Sequence, residues 1–94
     1  MMEGATRAAA LLRSISNENR LLILCLLIQH GEMSPSVMSG YFSLSQSALS
    51  QHLARMREDG LIAYRRESQT FYYYIDCPEV QKLMYAMEDI FCTP

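Results

Sequence analysis

Residues Leu21 to Ile28 read LLILCLLI, eight apolar side chains in a row. A helix built from such a run is apolar on every face, so it belongs at the centre of a fold with other elements packed around it. The run is far too short to cross a bilayer, which needs about 20 apolar residues. Cys25 lies in the middle of it. Periodicity alone does not say whether Cys25 is a small hydrophobe filling space or a thiol placed to react, because all its neighbours are apolar. The chain has 94 residues. That length corresponds to one domain over residues 1–94. A core of that size is modest, and association with a second copy is a common source of added stability.

Half of the residues are apolar, which excludes a disordered chain. No N-terminal stretch combines a charged start, a long apolar centre and a small-residue cleavage site, so the expected location is the cytoplasm. Thiols are kept reduced there. Three cysteines, an odd number, therefore do not read as a permanent disulfide framework.

Helix signals punctuate the sequence. Thr6 to Ile15 carries apolar residues on one side and Arg7 and Arg13 on the other. Ser16-Asn17 supplies capping oxygens for a second helix over Glu18 to Gln29, which His30-Gly31 ends. Ser34-Pro35 starts a short helix to about Ser39, and Gly40 interrupts it. Ser45 caps a longer helix, Gln46 to Asp59, with Ala48, Leu49, Leu53 and Met56 as its apolar stripe and Gly60 as its stop. Leu61 to Arg66 and Thr70 to Ile75 are rich in branched and aromatic residues, and Glu67-Ser68-Gln69 between them reads as a hairpin turn. Tyr72, Tyr73 and Tyr74 then alternate across the second strand. Pro78 to Phe91 forms a last helix with Val80, Leu83, Met84, Met87, Ile90 and Phe91 on one side. Met38, Met56, Met84 and Met87 read as core and interface fillers, and Glu79, Glu88 and Asp89 as a solvated face. The order α-α-α-α-β-β-α is mainly α with a β-hairpin wing, a winged helix-turn-helix.

The net charge of −2 speaks against nucleic acid only until its distribution is considered. Residues 45–70 balance at +1, with Arg55, Arg57, Arg65 and Arg66 against Glu58, Asp59 and Glu67. The rest balances at −3. A helix that enters the major groove needs short polar side chains near its N-terminus. Ser45, Gln46, Ser47, Ser50, Gln51 and His52 supply them, with Arg55 and Arg57 expected at the DNA backbone. Arg65 and Arg66 in the hairpin are expected at phosphates or the neighbouring minor groove. A merely solvated helix face could carry the same residues. The cap, the order of elements and the arginine-bearing hairpin favour the DNA reader.

The stretch SLSQSALSQHLARMREDGLIAYRRESQTFYYYI closely resembles the recognition helix and wing of the ArsR/SmtB family of bacterial repressors, and LLRSISNENRLLILCLLIQHG fits that family's second helix. The resemblance runs from about Ala8 to Cys92. It implies a homodimer built from the first and last helices. It also implies binding to double-stranded DNA at an inverted-repeat operator, with half-sites about 10 bp apart.

Members of this family commonly sense metals or metalloids, yet Met33 to Ser36 reads MSPS, without cysteine, and the last helix has no histidine. No metal or cofactor is expected. Cys25 in the second helix and Cys92 after the last one match the cysteines of the family's HlyU/BigR/SqrR-like branch. That resemblance implies a redox-sensing pair that persulfides or polysulfides link, weakening operator binding. Cys77 has no counterpart in the branch. A general thiol-oxidation or metalloid sensor, with Cys77 as a further soft ligand, remains an alternative, as does a constitutive DNA-binding module with structural cysteines. An enzyme is not expected, since no Cys-x-x-Cys pair, nucleophile–base motif or glycine loop is present.

Overall fold

The computed structural model describes residues 2–91. Five helices and one hairpin follow in the expected order: α1 (Met2–Ile15), α2 (Glu18–His30), α3 (Pro35–Met38), α4 (Gln46–Glu58), β1 (Ile62–Glu67), β2 (Thr70–Ile75) and α5 (Pro78–Phe91). A single 3-10 turn, Ser39–Tyr41, continues α3. The capping chemistry is local. Asn17, rather than its neighbour Ser16, accepts the Arg20 N–H at 3.1 Å to start α2. Ser34 accepts from Val37 N at 3.3 Å and Ser45 from Ala48 N at 3.1 Å, starting α3 and α4. Gly31 ends α2 and Gly60 follows α4, both with positive φ (83° and 78°) that a side chain would oppose.

Most boundaries hold or shift by a single residue, and two differences have a physical cause. α1 starts at Met2 rather than Thr6; Glu3 in its first turn suits the helix dipole, and Thr6 Oγ1 donates back to Met2 O at 3.1 Å. The hairpin loop is two residues, Ser68-Gln69, with Glu67 paired to Thr70. Ser68 takes φ 58°, the positive φ that a tight two-residue hairpin requires.

The core is formed where α2 meets α4, α5 and the base of the hairpin. Ile23, Leu24 and Leu27 of α2 are buried against Leu49, Leu53 and Met56 of α4, Leu61 and Ile62, Ile75, and Val80 and Met84 of α5. Met33 extends the hairpin by one residue of pairing: its N–H donates to Tyr73 O at 3.0 Å and its carbonyl accepts from Tyr73 N at 2.9 Å. The wing is thereby tied to the loop that precedes α3. Met38, Met56 and Met84 are buried as expected, and Met87 is half-buried.

The central helix is less enclosed than its composition implies. Leu22 is 45% exposed and Cys25 half-buried. They line an open cavity of about 510 Å³ together with Leu21, Met84, Met87 and Phe91. α1 buries only Ile15 and leaves Leu12 exposed. α5 likewise exposes Tyr85, Ile90 and Phe91. Glu88 departs from the expected solvated face: it is half-buried, and its Oε2 is buried without a hydrogen-bond partner among the described residues.

Leu53 is the buried middle of the α4 stripe. Leu53→Ala is expected to cost about 2–5 kcal/mol. The check is urea unfolding, in which the midpoint should fall while the slope stays constant.

Candidate nucleic-acid interface

α4 turns about 100° per residue, which divides it into four strips. Leu49, Leu53 and Met56 face the core. Ser47 and Gln51 lie opposite, exposed, with Ala54 and Glu58 further along the same strip. Ser50 and Arg57 flank this strip on the side of the hairpin. His52, Arg55 and Asp59 flank it on the side of α1 and α2. The exposed N-terminal turn therefore presents Gln46, Ser47, Ser50 and Gln51, the residue types that bond base edges. Ser45 Oγ serves the cap and lies 3.3 Å from Ser47 Oγ. Glu58, counted among the acids of residues 45–70, falls on this same exposed strip.

The hairpin register separates its two arginines. Ile62 pairs with Ile75, Tyr64 with Tyr73 and Arg66 with Phe71, so one face carries all six side chains from core to tip. The Arg57 guanidinium stands 5.1 Å from the Tyr64 ring centroid, Tyr64 meets Phe71 edge-on at 4.9 Å, and Arg66 lies 5.5 Å from Phe71. A row of cation, ring, ring and cation thus joins the recognition helix to the wing tip. Among the described residues no carboxylate lies within ion-pair distance of Arg57 or Arg66.

Arg65 faces the other way, at 4.4 Å over Tyr72. Its guanidinium donates to both oxygens of Glu32, as close as 2.6 Å, and to Glu67 at 2.9 Å. These hydrogen bonds, Glu32 first, hold Arg65 protonated beyond its ordinary range and hold the Glu32 carboxyl below its own. Arg65 and Arg66, both expected at the DNA, lie on opposite faces of the strand by its alternation, and Arg65 ties the wing to the loop after α2 through Glu32.

His52 and Arg55, also expected at the DNA, have partners within the chain. Arg20 Nε donates to His52 Nδ1 at 3.1 Å, which turns the imidazole toward α2. Burial and then the Arg20 charge lower the His52 pKa, which favours the neutral ring that accepts from Arg20. Arg55 Nε bonds Asp59 Oδ2 at 3.3 Å. The same oxygen accepts from Ser14 Oγ at 2.6 Å, and that bond is the largest cause of Asp59 staying ionised below its usual range.

Of the expected sensing pair, Cys25 lies half-buried on the cavity between α2 and α5, and Cys92 lies outside the described residues. Cys77 Sγ donates to Glu79 Oε2 at 3.2 Å in the first turn of α5. No group of three or more metal-ligating side chains occurs among the described residues, and none of the described helices is long and apolar enough to cross a membrane.

The model of the arsR family of bacterial regulatory proteins matches residues 17–64, from the cap of α2 through α4 into β1. The chain belongs to this family. It is 41% identical over 92 residues to the transcriptional activator HlyU of Vibrio cholerae, covering 98% of this chain and 84% of HlyU. The solved structure of that protein superposes with a TM-score of 0.93 over 99% of this chain and all of the other. The Biofilm growth-associated repressor of Agrobacterium fabrum is 34% identical, covering 100% of this chain and 80% of its own. The crystal structure of the transcriptional repressor BigR from Xylella fastidiosa, 32% identical, superposes with a TM-score of 0.87 over 98% of this chain and 90% of that one. These likenesses put this arsR-family protein in the HlyU/BigR-like branch, among regulators and not enzymes.

The geometry separates Arg57 and Arg66 from Arg65 in a binding experiment. Arg57→Ala and Arg66→Ala are each expected to reduce the slope of log affinity against log salt by about 1, because each displaces a counterion. Arg65→Ala is expected to leave the slope unchanged, its charge being matched by Glu32 and Glu67. Fluorescence anisotropy titrations of a DNA duplex at several salt concentrations measure all three.

Proposed function

We propose that this protein is a homodimeric transcriptional repressor that reads an inverted-repeat operator and releases it when reactive sulfur bridges Cys25 to Cys92. The observation that carries the DNA-reading part is the exposed, capped strip of α4 continuous with the Arg57–Tyr64–Phe71–Arg66 row. Gln46, Ser47, Ser50 and Gln51 contact base edges, and Arg57 and Arg66 contact phosphates. Ser45 orients the first turn. His52, Arg55 and Arg65 act behind that surface rather than on it.

The dimer is supported by the apolar side chains left open on the two terminal helices, Leu12 on α1 and Tyr85, Ile90 and Phe91 on α5. Isolated apolar residues are ordinary on a surface, but several large ones on the two terminal helices are consistent with an association face. Two copies related by a two-fold axis would present two α4 helices to successive major grooves. One relative is named an activator and another a repressor. The proposal takes the repressor's mode, with activation arising where a regulator displaces another silencer.

The sensing part rests on Cys25 at an open cavity and on the position of Cys92 in the sequence. The Cys25 thiolate attacks the outer sulfur of a persulfide RSSH, forming Cys25–SSH and releasing the thiol RSH. The Cys92 thiolate then attacks the inner sulfur of Cys25–SSH, giving the disulfide and releasing hydrosulfide. If both cysteines are first persulfidated, their condensation gives a trisulfide and again one hydrosulfide. The extra sulfur lets a bridge span more than the roughly 7 Å allowed to a plain disulfide.

Reduced protein treated with glutathione persulfide, and separately with hydrogen peroxide, tests this by peptide mass spectrometry and DNA binding. A Cys25–Cys92 link after persulfide alone, as the disulfide or with added sulfur, with DNA released, is the expected result. Unmodified Cys25 under both reagents, or unchanged release in Cys25→Ser, would sink the sensing role and leave a DNA-binding module with structural cysteines.

A further inference from the structure

Behind the DNA-reading strip lies a polar cluster that neither base contacts nor thiol chemistry uses. Ser14, in the last turn of α1, reaches α4 by two separate routes. Its hydroxyl donates to Asp59 Oδ2 at 2.6 Å, at the C-terminal cap of α4. Its carbonyl accepts from Arg20 Nη1 at 2.8 Å, and the Nε of the same guanidinium donates to His52 Nδ1 at 3.1 Å. His52 and Asp59 are seven residues apart, two turns along one flank of α4. The two routes therefore grip α4 near its middle and at its end. Two points of attachment fix both the position and the tilt of a helix, where one would leave a pivot.

The placement of Asp59 argues that this grip is functional. A carboxylate at a helix C-terminus lies against the negative end of the dipole and is unfavourable there. Asp59 nevertheless stays ionised, held by Ser14 and then Arg55. Arg20 is half-buried, and its planar fork suits two acceptors at a fixed angle, which a lysine would not reproduce. Of the apolar side chains of α1, Ile15 is buried and Leu11 packs partly buried against the core, and the polar links through Ser14 add to that attachment.

We propose that Arg20 and Asp59 are positioning residues that latch the recognition helix to the end of α1, so that the angle between the two recognition helices of a dimer is set by the dimer helices themselves. This rests on the reading that α4 enters DNA and that α1 lies at the dimer interface. It adds the link between the two. A change in the packing of α1 would pass to α4 through Ser14 with no need to alter the core.

A latch of this kind has a signature that general stabilisation lacks. Inserting one base pair between half-sites turns one relative to the other by about 35°. A rigid dimer is penalised by that turn, and a dimer with loosened recognition helices is penalised less. The probe is a duplex enriched by the wild-type protein from a random-sequence pool, with and without a one-base-pair central insertion, alongside an unselected duplex. Ser14→Ala and Arg20→Ala are expected to weaken binding to the enriched duplex about tenfold. Binding to the unselected duplex should stay within about twofold, and the insertion penalty should shrink. His52→Gln, which keeps a neutral acceptor for Arg20, should recover part of what His52→Ala loses. Circular dichroism and sedimentation check that fold and dimer persist; Ser14→Ala removes a single hydroxyl and keeps the test open if Arg20→Ala does not fold. An equal loss on both duplexes, or an insertion penalty of wild-type size in both variants, overturns the latch. Failure of the wild-type protein to enrich any sequence is a separate result; it rejects the DNA-reading surface itself, and the latch with it.

Discussion

Burial of α2 is the constraint on which the rest of the structure depends. Ile23, Leu24 and Leu27 leave no polar face to turn to solvent, so α4, α5 and the hairpin base must close around them. That enclosure decides where the functional surfaces are. α4 is held by its Leu49–Leu53–Met56 stripe, which leaves the opposite strip free for a partner. α5 covers part of α2 and stops short of Leu22 and Cys25. A thiol that would be inert inside a sealed core is thereby brought to the wall of an open cavity.

α4 serves four neighbours at once, and its side chains are divided among them by angle. The core takes the aliphatic residues and the groove side takes small polar ones. The hairpin side takes Arg57 through the Tyr64 ring, and the α1 and α2 side takes His52, Arg55 and Asp59. The division explains how a chain with net charge −2 can present a surface suited to DNA. Arg57 and Arg66 are backed by rings rather than carboxylates, while Arg65 and Arg55 are matched by acids. The cationic surface is thus narrower than the count of arginines implies, and it is continuous across helix and wing.

Much of the architecture was legible in the sequence, because it depends on local rules. The serine and asparagine caps, the glycine stops and the helical and alternating periods each act over a few residues, and the structure follows them closely. The early start of α1 was missed because Met2 to Ala5 lacks an apolar stripe; helix propensity extends it without any packing requirement. The exposure of the serines and glutamines of α4 was legible for the same reason, since it follows from the buried stripe opposite. The partners of Arg65 and His52 were not: each bonds a residue about thirty positions away in sequence, Glu32 and Arg20, which no local rule specifies.

The sequence by itself thus determined the elements, their order, the central place of α2 and the family, since these are encoded in local chemistry and in a long, specific pattern. Only the tertiary structure decided which arginines are matched by acids, which way His52 turns, and that Ser14 is linked to the recognition helix twice, directly at Asp59 and through Arg20 at His52. The reason is physical: a hydrogen bond or ion pair between distant residues depends on where two packed elements meet. No spacing along the chain specifies that meeting.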